Sequence, residues 1–130
     1  MKVVLSLGVL IALVLVGCSS AADGPSSQLA AQYGLHLDGG GQSDTQTVPA
    51  SLDAVPWDQI QHACREAGFD LRRYRGQELT FTSYPLKESL HGGPTNLLAI
   101  ERNGSLVGAY VVVTDEAGGT YSLPYVQREL

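Results

Sequence analysis

The stretch NLLAIERNGSLVGAYVVVT, residues 96–114, is the clearest structural signal in the sequence. Two apolar runs flank the dipeptide Asn103-Gly104. Asn-Gly in this position is the strongest short-range signal for a β-hairpin, because a two-residue type I′ turn needs a positive φ angle at both residues. We therefore predict two antiparallel strands, Asn96–Arg102 and Ser105–Thr114, joined by this turn.

The turn also predicts which residues share a face of the hairpin. If Arg102 pairs with Ser105, side-chain alternation assigns one apolar face to Leu98, Ile100, Val107, Ala109, Val111 and Val113. The opposite face then carries Leu97, Ala99, Leu106, Gly108 and Tyr110. Either the first helix covers this second face, which we favour, or it is an exposed apolar patch that binds a partner. These five residues are therefore the candidate partner surface.

Two helices are predicted on the N-terminal side of the hairpin. A short helix over Gln28–Tyr33 would be capped by Ser26 or Ser27 and end at Gly34. A longer helix would follow Asp53 and end before Gly68, with apolar residues at helical spacing, namely Trp57, Ile60, Cys64 and Ala67.

Shorter alternating patterns complete the predicted sheet. Strands are expected over Leu35–Leu37, Thr45–Val48, Gln77–Tyr84 and Tyr121–Leu123. The order of the elements predicts an α+β fold. It would be a small single domain in which two helices pack on one face of an antiparallel sheet of four to six strands.

The N-terminus has the features of a secretory signal peptide. Lys2 supplies a positive charge, Val3–Val16 is apolar, and Gly17 is a small residue at the cleavage point. The apolar run of about 14 residues is shorter than the ~20 that a transmembrane helix needs. Leu15-Val16-Gly17-Cys18 resembles the lipobox of bacterial lipoproteins, in which the cysteine thiol receives diacylglycerol and the chain is cut before it. The alternative is an ordinary secretory signal with a chance cysteine.

Cleavage at the lipobox would divide the chain into a signal peptide (1–17), a lipidated flexible tether (18–27) and a domain (28–130). Two acyl chains on Cys18 would hold the protein stably on a membrane. We expect the protein at the extracytoplasmic face of the bacterial cell membrane, with the membrane as one partner. With Cys18 lipidated, Cys64 would have no partner for a disulfide.

The charge balance limits the other partners. The chain has 8 basic and 13 acidic residues and a formal net charge of −5, and cleavage would also remove Lys2. This acidic balance argues against binding of nucleic acid and against electrostatic attraction to anionic lipid. We predict no nucleic-acid partner.

No pattern in the sequence predicts a catalytic residue, a metal site or a cofactor. The spacing of metal ligands is not found among the three histidines, His36, His62 and His91. Cys64 belongs to the apolar stripe of the longer helix, which favours a core residue over a nucleophile. Asp53 and Asp58 fit the positive end of that helix better than an acid–base pair.

Two polar segments leave alternatives open. Four arginines gather near the end of the longer helix, where nearby acidic residues favour a solvated mixed surface over an anion site: Arg65, Arg72, Arg73 and Arg75. The loop LKESLHGGPT, Leu86–Thr95, is polar, rich in glycine and fixed by a strand at each end, as binding loops are. A plain connection is the favoured interpretation of this loop.

The runs GFDLRRYRGQELTFTSYP (68–85) and NLLAIERNGSLVGAY (96–110) resemble those of the bacterial lipoprotein family known only as domain of unknown function 4830. The similar features, which cover most of residues 28–113, are Gly68–Leu71, Tyr74–Gly76, Phe81–Pro85, Asn96–Leu98 and Gly108-Ala109. The last strand of that family often reads Gly-Gly and then an acidic residue, from which Ala109 and Tyr110 depart. The resemblance supports the fold and the location, and it implies no activity, substrate, cofactor or partner.

Two hypotheses on function follow. A lipid-anchored extracytoplasmic binding or interaction module needs only a surface for a protein or a small molecule. A small cell-envelope enzyme needs a pocket with convergent polar groups. Because no catalytic motif is recognisable, we predict the binding module rather than the enzyme. A pocket that joins His91 or Cys64 to carboxylates would favour the enzyme.

Overall fold

The computed structural model describes residues 24–115 and 118–130. The predicted signal peptide and Cys18 lie outside the described residues. The elements follow one another as α1 (Pro25–Gln32), β1 (Gln42–Thr47), α2 (Trp57–Glu66), a 3₁₀ turn (Leu71–Tyr74), β2 (Glu78–Pro85), β3 (Thr95–Arg102), β4 (Ser105–Val113), β5 (Gly119–Tyr121) and α3 (Leu123–Glu129). The five strands pair antiparallel in chain order. The α+β class, the small single domain and the antiparallel sheet are confirmed.

The β3–β4 hairpin turns at the predicted dipeptide. Asn103 has a φ angle of 52° and Gly104 one of 81°, so both occupy the left-handed region that a type I′ turn requires. Arg102 pairs with Ser105, as predicted. The turn is therefore fixed by local sequence.

The predicted register is wrong beyond the first two pairs of the hairpin. Glu101 lies opposite Leu106, whereas Ile100 lies opposite Gly108, so Val107 is an extra residue in β4. Such a β-bulge changes the face on which every following side chain lies. Leu97 consequently pairs with Val111, so these two residues lie on the same face of the hairpin, whereas the predicted register placed them on opposite faces.

The bulge divides β4 between two clusters on opposite faces of the sheet. The first, which we call the α1 face, joins α1 and α3 to the sheet through Leu29, Ala30, Leu97, Ala109, Val111, Val113, Leu123 and Val126. The second, the α2 face, joins α2 to the sheet through Ile60, Ala63, Cys64, Leu71, Leu79, Phe81, Ile100 and Tyr110. The expectation that both predicted helices pack on one face of the sheet is therefore not met: they lie on opposite faces, and α3 joins α1.

Four of the five residues of the candidate partner surface are buried, which contradicts the alternative of an exposed apolar patch. Leu97 and Ala99 are 0% exposed and Tyr110 is 7% exposed, while Gly108 is also buried and Leu106 is half-buried. The favoured alternative, coverage by the first helix, holds for Leu97, which packs in one cluster with Leu29 and Ala30. Tyr110 instead lies on the α2 face because of the bulge.

The N-terminal helix begins earlier than predicted. Its N-cap is Gly24 and Pro25 occupies the first turn, so neither Ser26 nor Ser27 caps it. Ser26 is buried within the helix. The predicted tether (18–27) therefore overlaps α1 by three residues. Gly34, with a φ angle of 75°, follows the end of the helix, as predicted.

The C-terminal helix α3 was not predicted. The strand expected over Tyr121–Leu123 ends at Tyr121, and Ser122 then caps a helix by accepting a hydrogen bond at Oγ from the Tyr125 N–H at 3.2 Å. Pro124 lies in the first turn, where its missing N–H costs nothing. Of the helices within the described ranges, none has the length and apolar character to cross a membrane.

Candidate functional site

A groove of about 440 Å³ lies between α2 and the segment formed by β5 and α3. We call it the tyrosine groove. Its volume is within the range of roughly 300–1,000 Å³ that is typical of small-molecule sites. The residues that line it are Asp58, Gln59, His62, Ala63, Glu66, Thr120, Tyr121, Ser122, Tyr125 and Arg128.

The α2 wall of the tyrosine groove is polar because of helical periodicity. Asp58, His62 and Glu66 follow at intervals of four residues, which places them on one side of the helix, while Ile60 and Cys64 pack into the α2 face. The His62 Nε2 and Glu66 Oε2 atoms are 3.4 Å apart, and both side chains are exposed. This wall therefore presents two carboxylates and an imidazole.

The opposite wall is built on two stacked tyrosines. The rings of Tyr121 and Tyr125 lie 5.2 Å apart at an interplanar angle of 16°. Arg128 places its guanidinium carbon 6.0 Å from the centre of the Tyr125 ring, within cation–π distance. Gly119 leaves the space for Tyr121, since a Cβ atom at Gly119 would lie 2.7 Å from the tyrosine Oη. The wall is thus a packed arrangement of side chains.

His91, in the loop that the sequence indicated as a possible binding loop, holds both tyrosines. Its Nδ1 is 3.4 Å from the Tyr121 hydroxyl and its Nε2 is 3.4 Å from the Tyr125 hydroxyl. The imidazole meets both rings edge-on. His91 has a φ angle of 54°, which is uncommon for a residue with a side chain. The loop therefore supports the tyrosine wall without lining the groove.

The loop around His91 is itself fixed by hydrogen bonds. The Thr95 hydroxyl accepts a bond from the Leu90 N–H and donates one to the Gly93 carbonyl, both at 2.9 Å. Leu90 is buried on the α1 face. The position of His91 is therefore determined by the core and by the start of β3.

The chemistry available in the tyrosine groove is polar recognition. Asp58 and Glu66 accept hydrogen bonds and carry negative charge, whereas Arg128 donates and carries positive charge. Gln59 and the hydroxyls of the opposite wall add neutral donors and acceptors. The arrangement suits a polar ligand that offers both hydrogen-bond donors and acceptors.

Cys64 faces the core and not the tyrosine groove. It is 0% exposed, and burial raises the pKa of its thiol to about 12, although a backbone hydrogen bond with Ala109 acts in the opposite direction. A thiol with this pKa is not a thiolate at neutral pH and is a poor nucleophile. The predicted core role of Cys64 is confirmed.

Each histidine has its own set of contacts. The His36 Nδ1 lies 2.7 Å from Glu88 Oε2, and its backbone N–H donates to Glu88 Oε1 at 2.9 Å. Partial burial alone would raise the pKa of Glu88, but these hydrogen bonds outweigh it, so the pKa lies below its ordinary value.

Within 24–115 and 118–130, no cluster of three or more His, Cys, Asp or Glu side chains could hold a metal ion.

The residues that sequence reasoning missed are those of the C-terminal wall: Tyr121, Tyr125 and Arg128. A local signal for them does exist. Ser122 followed by Pro124 is typical of a helix start, which would place Tyr125 in the first turn of a C-terminal helix and Tyr121 directly before its N-cap. Their proximity to α2, about sixty residues earlier in the chain, has no local signal.

Comparisons of the chain with models of protein families, with curated proteins and with solved structures found no match. The resemblance to the lipoprotein family therefore stays a prediction.

Proposed function

We propose that the protein is a lipid-anchored binding module at the extracytoplasmic face of a bacterial membrane. Cys18 would carry the lipid, and the tyrosine groove would bind a small polar molecule or a polar side chain of a partner protein. The observation that supports the binding role most directly is the built wall of the groove, in which His91, Gly119 and Arg128 hold the two tyrosines.

The proposed anchor would keep the domain close to the membrane. Cys18 precedes the N-cap of α1, Gly24, by six residues. Six residues span at most about 21 Å when fully extended. The domain would therefore meet ligands at the membrane surface.

Lipidation of Cys18 can be tested by metabolic labelling with a clickable fatty acid in the bacterial host. The wild-type chain should be labelled, and Cys18→Ala should lose the label and the lipoprotein-specific cleavage. Cys64→Ala is the matched control and should keep the label. Label that persists in Cys18→Ala would show that the anchor is elsewhere.

The groove can be tested by native mass spectrometry of the lipidated protein purified from its host membrane. A bound small molecule should be retained by the wild type and lost from a variant that carries Glu66→Gln and Arg128→Gln. Arg102→Gln, which removes one charge at an exposed position of the hairpin, is the matched control. Retention of the molecule in the double variant would contradict binding in the tyrosine groove.

A further inference from the structure

A second groove, of about 450 Å³, lies on another side of α2 and shares no lining residue with the tyrosine groove. We call it the arginine groove. It is lined by residues 50–53, the side chain of Gln61 and three arginines, Arg65, Arg72 and Arg75. The first of these arginines lies in the last turn of α2, and the other two lie in or beside the 3₁₀ turn.

The concentration of positive charge in this groove is unusual for the chain. The protein has 8 basic residues and a formal net charge of −5. Three of its basic residues nevertheless line this one groove. Of these three arginines, Arg72 pairs with the nearby acidic residue Asp70, whereas the other two form no ion pair within the part of the chain that the structure describes.

Asp70 and Gln61 fix the geometry of Arg72. The Asp70 carboxylate accepts hydrogen bonds from Arg72 Nε at 3.0 Å and from Arg72 Nη2 at 2.9 Å, and another from Gln61 Nε2 at 2.7 Å. Gln61 is 8% exposed, and its Oε1 accepts a hydrogen bond from the Leu71 N–H at 2.9 Å. This network joins α2 to the 3₁₀ turn. It leaves three of the five guanidinium N–H donors of Arg72 outside the pair.

Arg65 and Arg75 are exposed guanidinium groups that line the same groove. Among the residues that the structure describes, neither of them forms an ion pair. Asp53 is the carboxylate on the groove lining, and its Oδ2 accepts a hydrogen bond from Ser51 Oγ at 3.1 Å. The groove therefore has more cationic than anionic groups, and its cations repel one another unless an anion lies between them.

We propose that the arginine groove binds a ligand that bears a phosphate or carboxylate group. Arg65 and Arg75 would donate charge-assisted hydrogen bonds to the anion, and Arg72 would add a guanidinium already oriented by Asp70. Guanidinium groups match the planar, multidentate acceptor pattern of both anions, and such hydrogen bonds are roughly twice as strong as neutral ones. The site is independent of the tyrosine groove and of the lipid anchor.

The proposal can be tested by NMR titration of the mature chain carrying Cys18→Ala with sodium phosphate and with sodium pyrophosphate, at constant ionic strength. Saturable shifts of backbone signals from residues 50–53 and 71–75 are expected. A variant with both Arg65→Gln and Arg75→Gln should bind about tenfold or more weakly, as expected for the loss of two charge-assisted bonds. Arg102→Gln is the matched control and should bind like the wild type.

A second arm of the experiment distinguishes a lipid headgroup from a soluble small molecule as the source of the anion. The same non-lipidated protein is mixed with vesicles of phosphatidylcholine alone or with added phosphatidylglycerol, and bound protein is measured by flotation. Binding that needs phosphatidylglycerol and the two arginines assigns the phosphate to a lipid headgroup, and binding of the soluble anions alone assigns it to a small molecule.

Three results would overturn the proposal. The first is the absence of saturable binding in both arms for the wild type. The second is an equal loss of binding in Arg102→Gln, which would mark a nonspecific charge effect. The third is unchanged binding in the double variant. Because both substituted residues are exposed, a melting temperature like that of the wild type should show that the double variant is folded.

Discussion

The two faces of the sheet are closed in different ways. The α2 face is covered by a ten-residue helix, which is connected to the following turn by hydrogen bonds of Gln61 with Asp70 and Leu71. The α1 face is covered by two shorter helices, α1 and α3, which contain eight and seven residues. Helices shorter than about 12 residues are marginal alone in water, so all three need tertiary burial, and the hydrogen bonds of Gln61 and Asp70 are an addition on the α2 face. On the α2 face, side-chain hydrogen bonds connect the helix to the next turn. The α1 face depends on the burial of two short helices, one at each end of the described domain.

On the α2 face the backbone of β4 lies close to side chains of the helix and the 3₁₀ turn. On the α2 face, a Cβ atom at Gly108 would lie 2.9 Å from Ile100 Cδ1 and 3.2 Å from Cys64 Sγ. The bulge at Val107 is what turns Gly108 toward α2. This face therefore has no room for an added carbon atom at its centre.

The largest effect is expected from a charge placed on the α2 face. Tyr110→Glu puts a carboxylate where the side chain is 7% exposed, among apolar neighbours, and should lower the free energy of unfolding by about 3–5 kcal/mol. Urea unfolding followed by circular dichroism measures the loss. Tyr110→Phe keeps the ring and should stay close to the wild type. If Tyr110→Glu were equally stable, the assignment of Tyr110 to the core would be wrong.

A smaller loss is expected from overpacking the same face. Gly108→Ala should cost about 1–3 kcal/mol, because Ile100, Leu71 and Cys64 must move to accept the new methyl group. Its melting temperature should fall accordingly.

The control for this overpacking is the double variant Gly108→Ala with Cys64→Ala. Removal of the thiol makes space, so part of the stability lost in Gly108→Ala should return. Additive losses in a double-mutant cycle would show that the two residues do not compete for space.

The features that the sequence predicted correctly are those with local causes. Asn103-Gly104 determines the hairpin turn by backbone preference alone, and the apolar spacing around Cys64 determines which side of α2 is buried. The bulge at Val107 was missed, although a glycine inside a strand, here Gly108, is a local signal for a bulge. The face assignments beyond the turn failed for this reason.

The candidate sites were less predictable than the fold because each joins distant segments. Tyr121 and Tyr125 lie beside residues of α2 only through the tertiary fold, since the two segments are far apart in the chain. The arginine cluster was visible in the sequence, but its pairing was not: Arg72 is the arginine that pairs with Asp70, and Arg65 and Arg75 line the groove without an ion pair among the described residues. A signal for α3 was present at Ser122 and Pro124, although the alternating pattern favoured a strand over Tyr121–Leu123.

On the α1 face, the helix cap of α3 is expected to matter at the level of about 1 kcal/mol. Ser122→Ala removes the acceptor of the Tyr125 N–H, which is the loss that N-cap substitutions typically cause. Ser122→Thr keeps a hydroxyl acceptor and is the matched control. Chemical denaturation of the three proteins gives the difference, and equal stability of Ser122→Ala and wild type would show that burial alone holds this helix.

The smallest effect concerns the tie that distinguishes the α2 face, and it depends on pH. Hydrogen bonds from the Arg72 side chain and then from Gln61 hold the pKa of Asp70 well below its ordinary value of 3.8. Because the pKa is lower in the folded state than in the unfolded one, Asp70 stabilises the fold fully above about pH 5, and this contribution falls as the pH drops through 3.8 and toward the folded-state pKa. The wild type should therefore lose more stability between pH 6 and pH 3 than Asp70→Asn does.

The carboxylate and Arg72 are accessible to solvent, so screening keeps the effect small. Urea unfolding at the two pH values measures it, with Asp44→Asn on the exposed edge strand β1 as the control. A stability difference between wild type and Asp70→Asn that is the same at both pH values would mean that the Asp70 charge does not hold α2 to the 3₁₀ turn.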